Sequence, residues 1–149
     1  MLGSNGEPSG ADDSMSEEPA RRGVVAVVRR EDRLLVIRRS QTVVAPGAYC
    51  FPGGGIEPGE AEPVALEREM LEELGCRITP LRCIWRSRTP WNVDLAWWRA
   101  ELHDEPVANP AEVAAVAWHS LVELAELPQL LESNHHFLAA LERGEFTLD

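Results

Sequence analysis

Three carboxylates, Glu69, Glu72 and Glu73, fall close together in the stretch EREMLEELGC, Glu67 to Cys76. Spaced i, i+3 and i+4, they share one face of a single helical turn. Gly75 stands where the C′ residue that closes a helix is expected, so these groups crowd the negative end of the helix macrodipole. Each close pair also repels by about 1 kcal/mol in water, and several-fold more near a protein surface. A solvated acidic face is one account of such a run. A bound divalent cation is the other. Hard oxygen ligands on one rigid element suit Mg²⁺ or Mn²⁺, which keep some waters and share their remaining positions with substrate phosphates.

The elements that must position these groups can be read along the chain. Residues 1–21, rich in Gly, Ser, Pro and acid, are expected to form a disordered acidic tail, leaving 22–149 as a single domain. GVVAVV and RLLVI, separated by the charged RREDR, predict a hairpin. Their continuous apolar runs imply a sheet covered on both faces. SQTVVAPGA is expected as a loop, YCF as a brief strand and PGGGIEPGE as a Gly/Pro loop. A helix follows over Glu62 to Leu74, with Pro63 at its N1 position. RITPLRCIWRS and VDLAWWRAEL predict strands around the turn RTPWN, and EVAAVAWHS a further strand. LVELAEL and QLLESNHHFLAALERG predict helices, the second stopped by Gly144. Strands with helices before and after them give an α/β or α+β class.

On a helical wheel with Leu66 at zero, Leu66, Pro63, Met70, Leu74, Leu71 and Val64 span an arc to about 160°. Glu62, Glu69, Glu72 and Glu73 occupy a separate arc from about 240° to 340°. Glu67 falls inside the apolar arc, and the pattern offers no account of it. Arg68 lies four residues before Glu72, close enough to pair with it or to steer a neighbouring carboxylate.

Composition narrows the partners. A net charge of −11 argues against general binding to nucleic acid or to an anionic membrane. All 14 basic residues are Arg, whose planar fork suits phosphate, although a chain without Lys also reflects genome composition. Cys50, Cys76 and Cys83 make no C-x-x-C pair and are odd in number, so reduced core thiols are expected rather than a disulfide scaffold or zinc knuckle. No apolar run approaches the ~18 residues of a membrane span, and no signal-peptide core is seen, which makes the cytoplasm the expected location.

Extended back to the glycines, the window reads GGIEPGEAEPVALEREMLEELGC, Gly54 to Cys76. This resembles the Nudix box of the Nudix (MutT-like) hydrolase family, G-x5-E-x7-R-E-U-x-E-E-x-G-U with U a bulky aliphatic residue. Gly54, Glu60, Arg68, Glu69, Glu72, Glu73 and Gly75 fill the fixed positions; Met70 suits the first U, and Cys76 departs from the usual aliphatic at the last. The resemblance implies an α/β/α sandwich with a mixed central sheet and a loop–helix–loop box. It implies hydrolysis of a pyrophosphate bond in a nucleoside diphosphate linked to another group, with Mg²⁺ or Mn²⁺ as cofactor. Carried over by position, Glu69, Glu72 and Glu73 would coordinate the metal, joined by the carbonyl of Gly53. Glu60 would brace the loop or bind a further ion, Arg68 would orient the carboxylates, and Glu69 would activate the water. Some members take their base from a later loop, and Glu112 in NPAEVAAVAW is the candidate for that role.

Arg38, Arg39 and Arg88, with Arg86 beside them, end strands near the box and are candidate phosphate contacts. Among five Trp, Trp91 in the turn is the candidate to stack on a nucleobase; the others suit the core. Alternation sends Val93, Leu95 and Trp97 to one face of their strand and Asp94, Ala96 and Trp98 to the other. His135 and His136 are adjacent, so a helix can turn at most one of them inward. The expected partners are a small nucleotide and, as one option, a second copy of the chain, with neither a stable nucleic-acid complex nor a membrane. The alternative function is a nucleotide sensor without turnover, which loss of box glutamates would favour; none is lost.

Overall fold

The computed structural model describes residues 20–149. Of the expected tail, residues 1–19 lie outside the described residues, and its last residue, Arg21, already opens the first strand. The elements run β1 (Arg21–Arg30), β2 (Arg33–Arg39), β3 (Tyr49–Cys50), β4 (Gly53–Gly55), α1 (Glu62–Leu74), β5 (Ile78–Arg88), β6 (Val93–Leu102), β7 (Val113–His119), α2 (Leu121–Glu126) and α3 (Glu132–Glu142).

Seven strands form one mixed sheet in the order β3-β2-β1-β6-β5, with β4 also on β1 and β7 also on β2. The β1–β2 hairpin is present but splays: it is paired only at its tip, Arg29 with Leu34 and Arg30 with Arg33. Beyond the tip β1 leaves β2 to pair in parallel with β6 from Arg21 to Val28, while β2 takes β7 and β3. The gap that opens beside β1 is filled by β4, antiparallel through Gly23–Gly55, Val24–Gly54 and Val25–Gly53. The sequence reads this stretch as a loop. Three glycines carry little strand propensity, and only the vacant backbone of β1 makes them a strand.

Both faces of the sheet are covered, as the continuous apolar runs require. Val24, Ala26, Val28, Ala96 and Ala100 pack under α1 with Leu66, Met70 and Leu74. Val25, Val27, Leu34, Val36 and Trp97 pack under Leu124 of α2 and Phe137 and Ala140 of α3. The alternation expected of β6 holds, Leu95 and Trp97 joining one layer and Ala96 and Trp98 the other. Trp97, Phe51, Trp85, Phe137 and Phe146 form a continuous aromatic cluster, with Phe137 stacked on Trp97 at 4.7 Å. Phe51 N–H donates to the buried Asn134 Oδ1 at 2.9 Å, tying the approach to the box onto α3.

Helix α1 has the expected bounds, with Gly75 at φ 62° closing it, so Pro63 is its second residue rather than its first. The face it buries is not the one the wheel suggests. Ala65, Leu66, Glu69, Met70, Glu73 and Leu74 are buried, whereas Val64 and Leu71 are each 52% exposed. The buried arc is rotated toward the carboxylates, because the helix must press Glu69 and Glu73 against β4. That rotation explains Glu67, which sits between Val64 and Leu71 on the solvent side. The last helix begins later than expected: Gln129 adopts φ 64° and Leu130 bridges to Tyr49 before the first turn. His135 and His136 both face solvent. No helix among the described residues is long and apolar enough to cross a membrane, and the three cysteines are free thiols.

The rotated face predicts an asymmetry between two leucines of α1. Leu66→Ala is expected to cost about 2–5 kcal/mol of unfolding free energy, and Leu71→Ala within about 0.5 kcal/mol of nothing. Urea denaturation of both variants checks this, and equal losses would contradict the packing described.

Candidate functional site

Glu69, Glu73 and Glu112 each bring a carboxylate oxygen to within 4.8 Å of the other two. The first two come from successive turns of α1, and the third from the loop just before β7. Glu73 is 7% exposed and Glu69 9%, unusual for acids. Gly54 makes the approach possible. A Cβ added there would lie 2.3 Å from the Glu69 carboxyl carbon, so any other residue at this point of β4 would collide with the carboxylate.

Glu73 accepts one hydrogen bond, from the Gly53 N–H at 3.2 Å. Burial pushes its carboxyl up to about 8; the Gly53 N–H pulls the other way, and Glu69 and Glu112 add to the rise. Burial also raises Glu69, against the pull of Arg68. Arg39 lies near enough to Glu73 to lower it electrostatically, yet the ion pairs of the described residues give Glu73 and Glu112 no arginine partner. Three convergent carboxylates, two of them without an arginine partner, fit a divalent cation with oxygen ligands.

Arg68 holds this arrangement from the side. Its Nε and Nη2 form a fork on Glu60 at 2.8 and 2.9 Å, its Nη1 reaches Glu69 at 2.8 Å, and Nη2 also donates to the Gly55 carbonyl at 2.8 Å. Glu72 receives only a 3.5 Å contact from Nη1. The Glu60 fork is the chief reason Arg68 is held firmly charged. Glu60 in turn is drawn down to about 2 by Arg68 and by the Glu57 N–H. Arg68 thus joins Glu60, Glu69 and the Gly55 carbonyl. Glu60 has both oxygens engaged and lies outside the carboxylate cluster. Glu72, whose side chain is 48% exposed, stands at the rim rather than in the cluster.

The loop that carries Glu112 is anchored to the helix end. Val107 N–H donates to the Leu74 carbonyl and Asn109 N–H to the Glu73 carbonyl, both at 2.9 Å, while Asn109 Nδ2 donates to the Glu72 carbonyl at 3.0 Å. These are the carbonyls a helix C-terminus leaves without partners. Glu112 is thus brought to the carboxylates, as the sequence expects of a later-loop acid. Asn109 went unrecognised there, since a lone loop Asn carries no periodic or spacing signal.

The substrate candidates separate. Arg39 ends β2 opposite Val113, the neighbour of Glu112, and donates to the Val44 carbonyl at 2.6 Å. Arg38 turns outward to the Gly47 carbonyl and lies 5.5 Å from the Tyr49 ring centroid. Arg88 forks onto Asp94 across the β5–β6 hairpin at 2.6 and 3.1 Å, and Arg86 onto Glu62. Trp91 stands exposed in that hairpin's turn. Arg22, Glu62, Arg86, Arg88 and Asp94 border a cleft of about 350 Å³ at the N-terminal end of α1.

Comparison with known proteins follows the same line. The family model described as NUDIX domain matches residues 19–141. An NAD-capped RNA hydrolase, NudC, of Stutzerimonas stutzeri (strain A1501) is 31% identical over 70% of this chain and 38% of its own length. A CTP pyrophosphohydrolase of Escherichia coli (strain K12) is 38% identical over 38% of this chain and 42% of its own. The chain thus spans about two fifths of these curated relatives. Among solved structures, the MutT protein of Methanosarcina mazei Go1 superposes with a TM-score of 0.78 at 22% identity, covering 87% of this chain and 98% of that one. A MutT NUDIX hydrolase of Burkholderia pseudomallei gives 0.67 at 29% identity, covering 83% and 98%.

The buried Glu73 makes metal-free stability depend on pH. Its carboxyl is raised from the ordinary 4.5 to about 8 on folding, so the folded state holds the proton more tightly. Its stabilising contribution is complete below about pH 4.5 and drains away as pH rises through about 8. Thermal unfolding in EDTA is expected to show wild type losing stability across this window relative to Glu73→Gln, with excess Mg²⁺ restoring it at the upper end. Parallel curves for the two proteins would contradict the assigned burial.

Proposed function

This chain belongs to the NUDIX family, and from that premise we propose that it hydrolyses a pyrophosphate bond in a nucleoside diphosphate linked to another group, using Mg²⁺ or Mn²⁺. The observation that carries the reading is the convergence of Glu69, Glu73 and Glu112, the first two buried and only Glu69 paired with an arginine among the described residues.

In this reading those three residues hold the cation, with Glu72 at the rim. A bound divalent ion would neutralise the pyrophosphate and make a water molecule a stronger nucleophile. The water oxygen attacks one phosphorus, the bridging P–O bond breaks, and its electron pair leaves with the departing phosphate. Glu69 or Glu112 accepts the water proton; both are tied to the site, Glu69 through Arg68 and Glu112 through its anchored loop. Arg39, beside Glu112 at the end of β2, takes a phosphate oxygen. The charge of −11 favours a small nucleotide over a long polyanion. Relatives named for NAD-capped RNA and for CTP support including dinucleotides and nucleoside triphosphates among the candidates.

The test is product release from nucleoside triphosphates, NADH, ADP-ribose, nucleotide sugars and dinucleoside polyphosphates with Mg²⁺ or Mn²⁺, run beside Glu73→Gln. Turnover that falls by about 10²–10⁴ in the variant supports the reading. Micromolar binding of one of these nucleotides without any turnover replaces it with a sensor.

A further inference from the structure

The loop joining β6 to β7 reaches the acidic cluster without regular secondary structure, and unsupported loops wander. Carboxylates within 4.8 Å of one another repel when ionised, so Glu112 has a reason to swing away. Its position depends on two clamps. On one side, Ser40 N–H donates to the Glu112 carbonyl at 3.0 Å, and the hydroxyls of Ser40 and Thr42 donate to the Ala111 carbonyl at 3.2 and 3.1 Å. That clamp ties the loop to the end of β2.

The other clamp is Asn109, which ties the loop to α1. Its N–H and Nδ2 hold the Glu73 and Glu72 carbonyls. Its Oδ1 accepts the Ala111 N–H at 3.1 Å, and its carbonyl accepts the N–H groups of Glu112 and Val113 at 2.9 and 2.8 Å. One residue therefore uses a side-chain donor toward the helix and a side-chain acceptor toward the loop. Asn offers both at once, whereas an ionised Asp offers acceptors alone.

We propose that Asn109 is a positioning residue that sets Glu112 against Glu69 and Glu73, making the three acids one preformed site. This rests on the hydrolase reading above. A carboxylate displaced by about 1 Å costs on the order of 100-fold in rate, and loss of a partner that orients a metal ligand costs about 10–100-fold in affinity or activity.

The experiment is a double-mutant cycle of Asn109→Ala with Glu112→Gln, measuring kcat, KM, Mn²⁺ affinity by the resonance of free Mn²⁺, and the thermal midpoint. Asn109→Ala is expected to lower kcat and weaken Mn²⁺ binding by about 10–100-fold each, with KM little changed. In the Glu112→Gln background it is expected to change either by less than about 2-fold. Equal effects in both backgrounds overturn the proposal, as does a lowered thermal midpoint with kcat and Mn²⁺ affinity intact. If Asn109→Ala does not fold, Asn109→Asp, which keeps the acceptor for Ala111 and loses the donor to Glu72, enters the same cycle. A wild-type chain that neither binds Mn²⁺ nor turns over any nucleotide overturns the hydrolase reading and this proposal together. An active wild type with an additive cycle overturns only the role of Asn109.

Discussion

The structure turns on the crossing of α1 over β4, where two carboxylates are pressed against a strand of glycines. Burying an acid is costly unless it is paired or neutralised, and Glu73 is offset here by a single N–H from Gly53. The fold does not relieve this by turning the helix about 90°, which would put Val64 and Leu71 inside and the acids outside. Instead Leu66, Met70 and Leu74 lock the helix to β1 and β6 in the orientation that keeps the acids down. An enzyme site is often held in such local tension by packing elsewhere.

The arginines divide between support and surface. Arg68 is the support: its fork on Glu60 spans the turn before α1, and its remaining donors reach Glu69 and the Gly55 carbonyl. Glu60 is thereby fastened to the helix that follows it. At the start of α1 itself, Glu62 gathers Arg22, Arg86 and the indole N–H of Trp98, so the first turn of the helix is tied to β1, β5 and β6. The Arg88–Asp94 pair is exposed on both sides, and such pairs contribute little to stability.

What was legible in the sequence was local. Gly75, the i, i+3, i+4 acids and the box spacing lie within about six turns of chain, and they placed α1 to the residue. The strand bounds after it followed from apolar runs and turn residues in the same way. What was hidden depends on partners far along the chain. Gly53–Gly55 becomes a strand only because β1 parts from β2. The helix faces inward by its acids, because β4 offers a surface with no side chains. A hydropathy wheel assigns acids to water and cannot anticipate that. Glu112 was recognisable only by analogy with later-loop acids, and its anchor Asn109 not at all. The Arg88–Asp94 pairing, by contrast, follows from the hairpin register and was open to prediction.

The parallel pairing of β1 with β6 also dictates an order of assembly. Arg21 meets Val93 and Val28 meets Ala100, partners close to half the length of the chain apart. Long closures of this kind are slow compared with helix formation. A chain emerging from the ribosome can wind α1 and close the β1–β2 tip early, yet its central strand stays half-paired until β6 has appeared. Glu112 lies later still, beyond β6. Nascent α1 therefore carries its acids in water, and they become a buried cluster only in the final stage, when most of the domain is already in place.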